Sequence, residues 1–152
     1  MPPMNRSISS KSSAPTFKFD KFSKRQKQVL LWWTDNSPYR DYNGIVADGS
    51  IRSGKTLAMS LSFVMWAMER FNGMNFAFCG KTIGALRRNV IQGLKPIVEG
   101  RGYECNDRRN DNMLIISRGS RTNYFYMFGG RDERSQDLIQ GRVMPPIVET
   151  LS

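Results

Sequence analysis

The spacing of apolar positions changes along the chain in a way that separates helices from strands. Residues 1–16 are polar, rich in Ser and Pro, and have no apolar period, and patterning begins at Phe22. Ser23 stands where an N-cap belongs ahead of KRQKQVLLWW, a run that predicts a helix ending in the turn-forming Asp35-Asn36-Ser37-Pro38. Gly44–Asp48 (GIVAD) is a short apolar run between Asn43 and Gly49, the pattern of a buried strand. Thr56–Arg70 is apolar on nearly every face, as expected of a helix packed inside a layered fold. Asn75–Cys79 (NFAFC) predicts a second strand, and a helix is expected from about Thr82 to Leu94. Met113–Ser117 and Thr122–Phe128 predict an antiparallel pair turned at Gly119, and Asp132–Gln140 predicts a short helix closed by Gly141.

Strands alternating with helices over the first hundred residues predict an α/β fold with a mostly parallel sheet flanked by helices. A chain of 152 residues is one domain's worth, divided here into a disordered basic tail over 1–16 and a folded unit over 17–152. There is no internal repeat.

Charge changes this picture. With 23 Lys and Arg against 13 Asp and Glu the chain carries +10, and residues 1–28 hold seven of the cations against Asp20 alone. Such an excess suits polyanionic partners such as nucleic acid or nucleotide phosphates without choosing among them. Histidine is absent, and Cys79 and Cys105 form no CxxC pair, so zinc sites and imidazole-based nucleophilic catalysis are excluded within these residues. Reduced thiols are the default. The longest apolar stretch, Leu57–Met68, is broken by Ser60 and Ser62 and is short of the ~20 residues a spanning helix needs, so no membrane role is expected.

Chemistry enters at Gly49-Ser50-Ile51-Arg52-Ser53-Gly54-Lys55-Thr56, which satisfies G-x-x-x-x-G-K-[ST] between an expected strand and a long helix. Glycines at the two ends let main-chain N–H groups turn toward a phosphate, and the helix start adds partial positive charge. Lys55 can reach the β- and γ-phosphates, and the Thr56 hydroxyl can complete the coordination of Mg²⁺, so the octapeptide predicts Mg-nucleotide binding. Arg52 can either stabilise charge on a transferring phosphoryl group or pair with a neighbouring carboxylate such as Asp48.

Together FSKRQKQVLLWW, ADGSIRSGKT, LSFVMWAM and GGRDERSQDLIQG resemble the ATPase domain of phage terminase large subunits of the PBSX type, over about residues 17–141. The resemblance implies a RecA-like (ASCE) P-loop NTPase fold. It also implies a motor that uses ATP and Mg²⁺ to drive double-stranded DNA into a procapsid, with a separate C-terminal nuclease domain. Such subunits work in the host cell cytoplasm with a small terminase subunit and the capsid portal, on the family pattern as a homo-oligomeric ring. By the same resemblance residues 49–56 hold the phosphates, Thr56 the metal, and Arg52 is the candidate arginine finger. Gln26 matches the family's adenine-contacting glutamine, with Gln28 as the alternative and a plain surface role open to both. Arg131 and Arg134 are either DNA contacts or solvated.

Beyond Gly141 the family pattern calls for an apolar strand closing in Asp-Glu, and this chain reads RVMPPIVETLS. Pro145 and Pro146 remove ladder donors and Ile147-Val148 is short before Glu149, so no strand is expected there and the sheet is expected to be incomplete. Nucleotide binding with little hydrolysis follows, in a chain read as a truncated form lacking the nuclease. Two further readings stand beside this one: a basic nucleic-acid-binding protein with a vestigial P-loop, and another P-loop enzyme such as a helicase-like protein. Tyr124, Phe125 and Tyr126 could stack on single strands, but alternation along a strand favours partial core burial.

Overall fold

The computed structural model describes residues 22–49 and 54–130, and the backbone of Ile147–Glu149. The first helix, α1, spans Lys24–Leu30 and is started by a reciprocal capping box. Ser23 Oγ accepts the Gln26 N–H at 3.2 Å, and Gln26 Oε1 accepts the Ser23 N–H at 2.9 Å. The expected continuation through Trp33 does not occur. Trp33 Nε1 donates to the Leu30 carbonyl at 3.0 Å and Thr34 Oγ1 to that of Leu31 at 2.8 Å, so side chains take the acceptors that a further helical turn would use.

Helix α2, Lys55–Arg70, lies between α1 and the sheet. Ser62 Oγ donates to the Val29 carbonyl at 2.6 Å and fastens the two helices together. On its sheet side, Phe63 meets Phe76, Phe78 and Phe125 edge-on at ring separations of 5.6, 5.5 and 6.0 Å.

The sheet has the order β2-β3-β4-β1-β5, with β1 Asn75–Gly80, β2 Glu104–Arg108, β3 Met113–Arg118, β4 Arg121–Gly129 and β5 Ile147–Glu149. Strand β1 runs parallel to β4 and to β5, whereas β2–β3 and β3–β4 are antiparallel. The expected mostly parallel sheet is therefore corrected to a mixed one. Two tight turns cause this: Asn112 (φ 49) joins β2 to β3 and Gly119 (φ 58) joins β3 to β4, so direction reverses at each step. The hairpin itself forms as expected. Phe125 is fully buried, Tyr124 and Tyr126 half-buried, which answers the stacking-platform reading of that strand with core burial.

Two more expectations fail for physical reasons. Residues 44–48 are not a strand: nothing among the described residues pairs with them, and Val46 is 95% exposed. Conversely, Ile147–Glu149 does add a short parallel strand, in register with Ala77–Cys79. The paired residues follow Pro145 and Pro146 in sequence, and the two prolines lie outside the described residues.

The helix expected over Thr82–Leu94 starts as expected, with Thr82 Oγ1 accepting the Ala85 N–H at 3.1 Å. It continues as α3 (Ile83–Leu86), a π-helical turn (Arg87–Ile91) and α4 (Gln92–Gly100). Pro96 lies inside α4, at a cost of about 3 kcal/mol. Burial of Leu94, Ile97 and Val98, each worth about 1.5–3 kcal/mol, outweighs that cost. The basic tail, the expected helix over 132–140, Gly141, Arg131 and Arg134 lie outside the described residues. No helix among the described residues is long and apolar enough to cross a membrane.

Candidate functional site

Of the sequence motif the structure describes Gly49, Gly54, Lys55 and Thr56, the last two opening α2. Gly54 is its N-cap in the left-handed conformation (φ 72, ψ 14), a backbone state that glycine adopts without Cβ strain. The first intrahelical bond is Ala58 N–H to the Gly54 carbonyl, at 3.0 Å. The N–H groups of Lys55, Thr56 and Leu57 thus belong to the helix start, where donors lack intrahelical acceptors and the macrodipole is positive. Lys55 Nζ donates to the Gly49 carbonyl, so the lysine folds back across the loop and joins its two ends.

Gly49 and Lys55 open onto a cleft of about 630 Å³. The start of α1 forms one wall through Ser23, Gln26 and Gln28, and residues 44–49 form another. Ala58 and Met59, one turn into α2, close the floor with apolar surface, and Arg25, Val29, Trp32, Tyr39 and Tyr42 complete the lining. Gln26 is brought against the loop itself: a Cβ built on Gly54 would stand 3.2 Å from Gln26 Nε2. Its Oε1 is engaged by the capping box, leaving Nε2 as the end of the amide turned to the loop.

The structure thus gathers Gly49, Gly54, Lys55, Gln26 and Gln28 around one cleft. Thr56 lies half-buried in the first turn of α2, and Asp48 is exposed on the cleft wall. Ser50, Ile51, Arg52 and Ser53 lie outside the described residues, so neither reading of Arg52 is decided. Tyr39, Tyr42 and Trp32 were not expected here. The available signal was two tyrosines flanking Arg40 shortly before the glycine loop, but the turn pattern at 35–38 gives no spacing rule connecting them with residues 49–56.

The cleft is of the size of a small-molecule site and sets the Lys55 and Arg25 cations and the Asp48 carboxylate beside aliphatic and aromatic surface. Among the described residues no group of three His, Cys, Asp or Glu could hold a metal ion.

No protein-family model matches the chain, and no curated protein does. Solved structures do. The large terminase from a thermophilic bacteriophage, in one crystal form, is 56% identical with a TM-score of 0.82 over 85% of this chain and 32% of that one. The same protein in complex with ADP is 55% identical with a TM-score of 0.78, over 84% of this chain and 31% of that one. In complex with ATP-γ-S it is 52% identical with a TM-score of 0.77, over 85% and 30%. The chain spans 30–32% of the length of these relatives.

Proposed function

We propose, from the premise that the chain belongs to the phage terminase large-subunit family, that its cleft binds ATP as the nucleotide site of a DNA-packaging motor. The observation that carries this reading is the pairing of a left-handed Gly54 with Lys55 folded back to Gly49 at a helix start. The relative's complexes with ADP and ATP-γ-S support the choice of ligand. Bound Mg-ATP supplies the phosphoanhydride whose cleavage drives such a motor. Lys55 exchanges the Gly49 carbonyl for phosphate oxygens, and the N–H groups of the first turn of α2 add fixed partial charge.

In the same reading the Thr56 hydroxyl supplies the protein oxygen for Mg²⁺, and Arg52 stabilises charge on the transferring phosphoryl group. Gln26 Nε2, beside the loop, donates to an acceptor on the adenine edge. The fold is then a RecA-like P-loop domain, and its partners are double-stranded DNA, a small terminase subunit, the capsid portal and further copies in a ring at the procapsid. Titration of Mg-ATP into the protein and its Lys55→Ala variant tests the site. Loss of tenfold or more in affinity is expected, and equal affinity would overturn the reading.

A further inference from the structure

Two large aromatic side chains on the cleft are more exposed than their size favours. Tyr39 is 44% and Tyr42 65% exposed, and their rings lie 6.2 Å apart at 52°. Exposed aromatics that share a cleft with a phosphate-binding helix start offer π-faces to a ligand that also carries a ring.

Their backbone is held in place. The Tyr39 N–H donates to Ser37 Oγ at 3.2 Å and the Tyr42 N–H to the Tyr39 carbonyl at 3.1 Å, closing successive turns. The segment leading into those turns is tied to α2 through Arg70, whose Nη2 reaches the Trp33 carbonyl at 3.2 Å and Asp35 Oδ1 at 3.1 Å. Arg40, between the two tyrosines, is drawn to Asp35 at 3.5 Å and Asp41 at 3.8 Å. Residues 44–49 line the cleft throughout, so it follows the chain from the tyrosine turn to the lysine.

From this arrangement we infer that Tyr42, supported by Tyr39, is the stacking surface for the nucleotide's aromatic base, while the helix start holds its phosphates. The inference rests on the proposed ATP site and adds the group that grips the base by its face. Gln26, its Oε1 engaged by Ser23 and its Nε2 beside Gly54, is left an edge contact at most. Base-to-aromatic stacking is lost on alanine substitution by about 5- to 100-fold in affinity.

The test titrates etheno-ATP and Mg-ATP into wild type, Tyr42→Ala, Tyr42→Phe, the Tyr39→Ala/Tyr42→Ala double variant and Lys55→Ala, with melting temperature recorded for each. Wild type and Tyr42→Phe are expected to quench the etheno-base at saturation and to bind Mg-ATP alike. Tyr42→Ala and the double variant are expected to bind about tenfold or more weakly and to leave the base unquenched at saturation, with an unchanged melting temperature. Undiminished affinity and quenching in the double variant would overturn the inference. So would weakened binding that leaves saturated quenching intact, because that marks a purely structural role. If instead Lys55→Ala binds like wild type, it is the ATP site that fails.

Discussion

Gln26 and Gly54 stand so close that a side chain on the glycine would crowd the glutamine amide: a carbon there would meet Gln26 Nε2 at 3.2 Å, and the amide would have to yield by a few tenths of an ångström. The left-handed φ of 72° adds a second penalty, about 1–2 kcal/mol for an L-residue. Gly54→Ala is therefore expected to shift the start of α2 away from α1 and to weaken nucleotide binding by at least tenfold. Calorimetric titration with Mg-ATP reads this directly. Affinity equal to wild type would mean that the loop relaxes at no cost.

The Arg87–Asp107 pair predicts a different kind of loss. Arg87 Nη1 donates to both carboxylate oxygens of Asp107, at 2.7 and 2.9 Å, with the two side chains only 18% and 14% exposed. Removing one partner of a largely buried pair leaves an uncompensated charge, and Asp107→Leu is expected to cost about 3 kcal/mol. Adding Arg87→Met in the same chain should recover most of that, since an apolar pair has no charge to desolvate. Urea unfolding of the two single variants and the double variant measures the coupling, and additive losses would contradict it.

How legible the fold was from sequence depended on what closes each surface. Helix α2 and the β3–β4 hairpin were legible because Phe63, Leu114 and Phe125 bury apolar side chains at the expected spacing. Strand β2 was not, since its inward positions are Cys105 and Asp107, and the latter is held by an ion pair that leaves no apolar period. The GIVAD run misled in the opposite sense. Its composition suits a buried strand, but burial needs a partner strand, and Val46 stands in the open. Around the cleft, Gly49 and Lys55 were legible from the spacing of the G-x-x-x-x-G-K-[ST] motif, and Gln26 only through the family resemblance. Tyr39 and Tyr42 reach the same cleft through a turn whose course only the tertiary structure fixes.

Asn123 joins three elements from a fully buried position. Its Oδ1 accepts the Met74 N–H at 3.0 Å, and its Nδ2 donates to the Phe71 and Ala67 carbonyls at 3.0 and 3.3 Å. Asn123→Leu removes the partner of the Met74 N–H and the Phe71 carbonyl, at about 1–3 kcal/mol for each one left unsatisfied, whereas the Ala67 carbonyl keeps the Phe71 N–H at 3.0 Å. A fall in melting temperature of about 6 °C or more is expected, using roughly 2–4 °C per kcal/mol for a domain of this size. Asn123→Asp should be worse at neutral pH, because a carboxylate then faces two carbonyls. That excess should shrink as the pH is lowered and the introduced acid is protonated. A variant melting within 1 °C of wild type, roughly a quarter to a half of a kcal/mol by the same conversion, would show the network to be dispensable.

Burial raises the Cys105 thiol to about 11, with the carboxylate of Glu99 pushing the same way and Lys95 partly opposing them. At pH 8 about one molecule in a thousand then carries the thiolate, the form that reacts. Iodoacetamide at pH 8 is expected to label Cys105 far more slowly in the folded protein than in urea, as followed by peptide mass spectrometry. Linkage fixes the accompanying effect on stability. Above about pH 9 the unfolded chain releases this proton while the folded one retains it, so each rise in pH favours unfolding until the folded thiol itself ionises near 11. Cys105→Ser removes that contribution, and its melting temperature should decline less steeply than wild type between pH 9 and 10.5. Parallel declines in the two proteins, with equal labelling rates folded and unfolded, would mean that the thiol is open to solvent.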